Sequence, residues 1–164
     1  MSMMSINTER FTVRTLTAQD VTTDYLHWFS SPVTAKYISY RPATLSELIN
    51  YVDTKFKQED CLLLGVFHND THIGNIKYEP IDVAKGTAIF GILIGDEKWQ
   101  GKGVASEVIL AGNKLLCSLY SVGKIELGVD KQNLGALSVY KKMGFKVSQD
   151  FDTYLMMELC TDGL

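Results

Sequence analysis

Nothing in this 164-residue chain approaches the run of about 18 apolar residues that a membrane-spanning helix requires. The opening MSMMSINTER holds no continuous apolar stretch and brings its charges late, so no secretory leader is expected. Cysteine is scarce, with Cys61, Cys117 and Cys160 odd in number and widely spaced. That pattern argues against a disulfide framework, suits a reducing cytoplasm, and leaves the three thiols as small apolar residues. No grouping of His, Cys and carboxylates has metal-site spacing, so no metal is expected. A basic excess is also missing, because 16 Lys and Arg against 19 Asp and Glu give a net charge of −3. Such a balance predicts no non-specific grip on nucleic acid. Two phosphate signatures are absent as well. GxxxxGK[ST] occurs nowhere, and Gly101-Lys102-Gly103 continues as Val104-Ala105-Ser106, without the third glycine of a dinucleotide fingerprint.

What is present is ordinary globular material, 46% hydrophobic and 21% charged. A chain of 164 residues suits one domain that buries about 70% of its unfolded surface. The stretch that organises it is TAIFGILIGDEKWQGKGVASEVILAGNKLLCSL, residues 87–119. The β-branched run 87–94 predicts a strand. Val104, Val108, Ala111, Leu115 and Leu119 fall on one stripe and predict a broadly buried helix from Gly103 onward. Between the two, Gln100, Gly101, Lys102, Gly103, Val104 and Ala105 form a turn whose unpaired N–H groups converge at a helix N-terminus. The helix dipole adds about half a positive charge there, which makes the turn an anion cradle. Gly101 and Gly103 lack the Cβ that would hold a phosphate off the main chain.

The remaining elements follow from period and punctuation. Residues 9–15 alternate polar and apolar and predict a strand. Val21, Tyr25, Trp28 and Phe29 fall at helical spacing, so a helix is expected over 20–29, with a short second one over 33–38 after Pro32. Thr44 followed by Glu47 resembles a capping box that opens a helix over 45–58. CLLLGVFH, residues 61–68, predicts a strand covered on both faces. Asn69-Asp70 turns the chain into a strand at 71–79, and Val83-Ala84-Lys85-Gly86 turns it again into 87–94. His68 and His72 flank the first of these turns and are expected to be exposed. Three hairpin-linked strands ahead of the cradle exclude a doubly wound nucleotide-binding sheet. Beyond the long helix, 124–130 predicts a strand reached by a parallel crossover, followed by a helix at 133–143 and strands at 145–148 and 154–160.

Two motifs carry a family resemblance. The string Gln100-x-x-Gly103-x-Ala105 resembles the Q/R-x-x-G-x-G/A loop of the GNAT (Gcn5-related N-acetyltransferase) superfamily, and 133–145 resembles its N-x-x-A-x-x-x-Y-x-x-x-G-F element through Asn133, Ala136, Tyr140, Gly144 and Phe145. Their order, separated by one helix and one strand, is far more specific than either alone. The resemblance covers residues 87–145. It implies a GNAT fold, an α/β (α+β) domain whose mixed, mostly antiparallel sheet of six or seven strands is flanked by about four helices. The spacing of Trp28, Pro32 and Tyr37 further resembles the branch of ribosomal-protein N-terminal and related small-molecule or aminosugar acetyltransferases.

The resemblance implies direct transfer from acetyl-CoA to a primary amine in a ternary complex, within a single acetyltransferase domain over 1–164. The acceptor is a small molecule, an aminosugar or a peptide N-terminus, and a homodimer is the larger assembly allowed for. Amides of Gln100 to Ala105 are expected to bind the pyrophosphate, with Lys102 adding charge. The main chain of Ile92, Leu93 and Ile94 is expected to pair with the pantetheine arm, and Asn133 to bond the arm or the pyrophosphate while capping its helix. Tyr140, neutral at pH 7, is expected to protonate the departing thiolate. Trp28 and Tyr37 are expected to line the acceptor groove. No carboxylate lies in 87–95, so Glu79 on the preceding strand, directly or through water, is the candidate base. The absent strand carboxylate also leaves open a non-catalytic acyl-CoA sensor.

Overall fold

The computed structural model describes residues 3–164. Among them lie strands β1 (Ser5–Asn7), β2 (Thr12–Thr15), β3 (Leu62–His68), β4 (Thr71–Asp82), β5 (Thr87–Ile94), β6 (Lys124–Asp130), β7 (Lys146–Asp150) and β8 (Tyr154–Cys160). The helices are α1 (Thr23–Trp28), α2 (Leu45–Lys57), α3 (Val104–Leu119) and α4 (Leu134–Lys142). All eight strands join one sheet in the order β1-β2-β3-β4-β5-β6-β8-β7. The sheet has one strand more than the six or seven expected. The addition is β1, three residues paired antiparallel to β2 and too short for any alternation to announce it. No helix is long and apolar enough to cross a membrane among the described residues.

Each face of the sheet carries its own core. On one, Val104, Val108, Ile109 and Leu116 of α3 pack with Leu62, Leu64, Ile76 and Ile125. On the other, Tyr25, Trp28, Leu48 and Val52 of α1 and α2 pack with Leu63 and Phe67. Strand β3 feeds both, which is why it reads as an unbroken apolar run. Each of its fully covered leucines contributes about 1.5–3 kcal/mol of transfer free energy. Helix α3 comes close to the sheet at Gly112, where a Cβ would stand 2.9 Å from Tyr78 Oη. That hydroxyl donates to Asn113 Oδ1 at 2.6 Å, so the buried polar pair satisfies itself.

The feature that shapes the site is a divergence. Strands β5 and β6 run parallel and pair only at Thr87–Ile89 against Lys124–Glu126. Beyond that point β5 stays with β4 and β6 stays with β8, so the sheet opens between them. Phe90, Tyr140 and Phe145 cluster at the opening.

Two helical expectations are corrected. The helix over 20–29 is shorter and starts later, because Asp20 is drawn into a 3-10 turn by Arg14 and the Thr17 amide, and Thr22 then caps α1. The segment 33–38 holds no helix; residues 32–37 form consecutive turns. Thr34 donates to the Gly95 carbonyl and Arg41 to the carbonyls of Ala35, Ile38 and Tyr40, so the segment is pinned from outside at both ends. The expected helix at 45–58 is present with Thr44 accepting from the Glu47 amide. The Glu47 carboxylate reaches one residue further back, to the Ala43 amide.

Candidate active site

The loop after β5 is shaped by its glycines. Gly101 and Gly103 have φ of 69° and 75°, the left-handed region that glycine enters without strain. Gly103 is the N-cap of α3 and has no side chain to cap it, so the first helical amides face outward without an acceptor among the described residues. A Cβ on Gly101 would stand in open space, the mark of a cradle left clear for a ligand. Gln100 Nε2 donates to the Ile94 carbonyl and ties the loop to the end of β5. Beside the loop, a cavity of about 380 Å³ lies between the end of β5, the start of α3 and α4. Ile92, Leu93, Ile94, Gln100, Gly101, Gly103, Val104, Ala105, Asn133 and Tyr140 all line it.

Tyr140 and Asn133 come from α4. Asn133 Oδ1 accepts from the Ala136 amide and so caps the helix whose next turns carry Ala136 and Tyr140. Gly144, at φ 99°, lets the chain turn out of α4 into Phe145. Tyr140 is buried against Phe90 and Phe145, and burial pushes its phenol up to about 12. The hydroxyl has no hydrogen-bond partner among the described residues, which leaves its proton free to be donated into the cavity.

A second cavity, about 240 Å³, lies on the α1/α2 face. Tyr25, Phe29, Tyr37, Tyr40 and Tyr51 supply its rings, and Asn75 and Lys77 of β4 and Gly91 of β5 lie along its floor. Tyr37, Ile38, Ile92 and Leu93 line both cavities, so the two meet across the middle of β5.

Three expected site residues lie elsewhere. Trp28 lines neither cavity. It is buried with Tyr25 and His72 and fills the space over Gly95, where a Cβ would come within 1.8 Å of the indole. Its role is to hold the corner between β5 and the loop. Gly95→Ala is therefore expected to cost about 3 kcal/mol or more through overpacking, seen as a lower urea midpoint with an unchanged slope. Glu79 also lines neither cavity. Its Oε2 accepts from Lys55 at 2.6 Å and Gln58 at 2.5 Å. Burial opposes its ionisation, but those two bonds and the nearby lysines hold its carboxyl below the ordinary value. A paired, more acidic carboxylate is a poor base. Lys102 is exposed on the loop and contributes its carbonyl to the fold instead of its ammonium to the cavity. His72, expected to be exposed, stacks on Phe67 and bonds Asn75, and burial lowers its imidazole to about 4.

Arg10 is the residue that spacing could not reveal. Its Nη2 donates to the Lys102 carbonyl at 2.9 Å, and its Nε donates to Glu107 Oε1 at 2.7 Å. Thr8 and the Arg10 amide also donate to Glu107. Burial works against that carboxylate, yet these donors and the Arg10 charge hold it below the usual range. The β1–β2 connection thus grips both the loop and the first turn of α3, across 92 and 97 residues of sequence. Arg10→Met is expected to weaken coenzyme A binding about tenfold by calorimetry, with the melting temperature moving only a few degrees.

Two cavities with a common floor suit a protein that moves a group between two bound molecules, a transferase. The family follows from the sequence: the model of the "Acetyltransferase (GNAT) domain" matches residues 10–146, and the chain belongs to that family. It is an acetyltransferase, and acetyl-CoA is the family's acyl donor. The N-acetyltransferase p20 of Bacillus licheniformis, itself uncharacterised, is 26% identical over 151 residues, 88% of this chain and 83% of that one. Two solved structures share the fold. A spermidine N-acetyltransferase from Vibrio cholerae in complex with CoA and spermine superposes with TM-score 0.81 at 20% identity, over 93% of this chain and 96% of that one. A ribosomal-protein-S5-alanine acetyltransferase from Vibrio fischeri superposes with TM-score 0.82 at 15% identity, over 98% of both chains.

Proposed function

We propose that this chain transfers an acetyl group from acetyl-CoA to the primary amine of a small molecule, with Tyr140 as the acid. The reading is carried by one observation, the meeting of the loop cavity and the aromatic cavity at Ile92 and Leu93. In it, the amides of Gly101 and of Gly103 to Ala105 hold the pyrophosphate, those of Gln100 and Lys102 being spent on the Glu97 and Trp99 carbonyls, and Ile92 to Ile94 and Asn133 hold the pantetheine arm. Acetyl-CoA, when bound, supplies a thioester-activated acetyl group. The aromatic walls, Tyr37 among them, exclude water and orient the amine toward the common floor. Tyr140 gives its proton to the sulfur as the carbon–sulfur bond breaks and the carbon–nitrogen bond forms. The proton released by the amine restores the neutral phenol, so no net proton is consumed.

A peptide N-terminus is the second acceptor class. A cavity of about 240 Å³, under the roughly 300–1,000 Å³ typical of ligand pockets, favours a compact acceptor over an extended chain. Three free cysteines support placement in the cytoplasm. The fully exposed edge strand β7 offers a homodimer its backbone, and sedimentation checks for the doubled mass. The decisive experiment measures thiol release from acetyl-CoA over an amine library, beside calorimetry of coenzyme A. Turnover of a small amine supports the proposal. Binding without turnover of any amine or peptide would convert the reading to a non-catalytic acyl-CoA sensor.

A further inference from the structure

The charge inside the aromatic cavity is one-sided. Lys77 is the cation among its lining residues, and no Asp or Glu lines it. The nearest counter-charge is already committed. Lys77 Nζ stands 3.6 Å from Glu79 Oε1, while Glu79 Oε2 is held by Lys55 at 2.6 Å. One carboxylate between two ammonium groups leaves a net positive charge, and the looser contact is the one to Lys77. The other bond Lys77 makes is a 3.3 Å contact to Tyr51 Oη, on a ring that stacks with Tyr40. Asn75 offers a ligand little, because its Nδ2 donates to Tyr25 and its Oδ1 faces His72.

The sheet also leaves Lys77 uncovered. Its direct cross-strand partner is Gly91, and a Cβ built there meets no atom within 4 Å. Any other residue at 91 would project into that open space, on the face of the sheet that carries the Lys77 side chain. The position needs no glycine for its backbone, since Gly91 is not among the residues of positive φ. A cation, an open notch opposite it and aromatic walls form a seat for an anionic group.

We propose that the acceptor is a primary amine bearing an anionic group, a carboxylate or a phosphate, which Lys77 holds over Gly91, and that polycationic amines are disfavoured. The proposal rests on the acetyl-transfer reading above and names its substrate class. It follows from like-charge repulsion, since a second ammonium brought beside Lys77 is pushed out while a carboxylate is drawn in. The same positive charge lowers the pKa of the bound ammonium, helping to free its lone pair in a cavity whose walls carry no carboxylate base. The fold shared with the spermine-bound Vibrio cholerae enzyme sets no such preference, because the charge comes from one side chain of this chain.

The test compares kcat/KM for matched acceptors: an α-amino acid and its amide, an aminosugar phosphate and its parent aminosugar, and spermidine. The expected result is a preference of about tenfold or more for the anionic member of at least one pair, with the two pairs separating carboxylate from phosphate. Lys77→Met is expected to abolish that preference through KM, with a smaller loss on the neutral amine as its bound ammonium becomes harder to deprotonate, and Lys77→Glu to turn it toward spermidine. Gly91→Val should block acceptors of every charge and keep coenzyme A binding, which distinguishes a filled notch from a misfolded chain. Spermidine as the preferred acceptor, or an anionic preference that survives Lys77→Met, overturns the proposal. If no amine turns over at all, the transfer reading fails on its own. Calorimetry of the anionic amines with coenzyme A present then decides this one, and binding equal in wild type and Lys77→Met overturns it.

Discussion

Tyr140→Phe is expected to lower kcat by about 10²- to 10³-fold while coenzyme A binds as before, because one positioned acid contributes on that scale. The substitution removes only a hydroxyl. The ring still packs on Phe90 and Phe145, so the helix and both cavities keep their shape. The pH profile makes the test stricter. Burial raises the phenol to about 12, so its acid form is fully present below that value and is lost only as pH rises through it. Wild-type rates should therefore climb as the acceptor amine loses its proton and show no fall from this group below about pH 11. Stopped-flow single turnover against pH separates the chemical step from product release. An unchanged kcat in the Phe variant would mean that the thiolate leaves without this proton.

Gly103→Val is expected to weaken coenzyme A binding about 100-fold and to lower stability by about 1–3 kcal/mol. At φ 75° a β-branched residue is strained, and the methyl groups would shield the amides at the start of α3. The added Cβ itself meets only Arg10 Nη2 at 3.8 Å, an ordinary contact, so the strain comes from the backbone and not from a collision. Gly101→Ala is the graded comparison, with a smaller loss on both measures. Calorimetry reads the first effect and urea unfolding the second. Normal affinity in a folded Gly103→Val protein would remove the cradle from the account.

The parts of this fold legible in the chain are those governed by local rules. The β3 run, the Thr44 cap, the α3 stripe, the positive-φ glycines and the 133–145 motif each depend on neighbours within a few positions, and each is found in the structure. Tyr140 and Asn133 could be placed because one helix carries both. The misreadings share a cause. Trp28 fits an amphipathic helix, but whether its ring meets ligand or protein depends on Gly95, 67 positions later. Glu79 is a carboxylate on the expected strand, yet Lys55 and Gln58 reach it from another element. The 33–38 segment has a helical pattern, yet it is held as turns by bonds to residues outside it, Thr34 to the Gly95 carbonyl and Arg41 to the Ala35 and Ile38 carbonyls. Lys77 and Gly91 are unremarkable in the chain and become a pair only through the β4–β5 register.

The common floor at Ile92 and Leu93 divides the chain by task. The walls toward α4 and the glycine loop come from residues 94–140, whereas most of the opposite walls come from residues 25–51. Substitutions among residues 25–51 and at the Lys77–Gly91 floor can thus reshape the aromatic cavity while the glycine loop and the α4 wall keep their form.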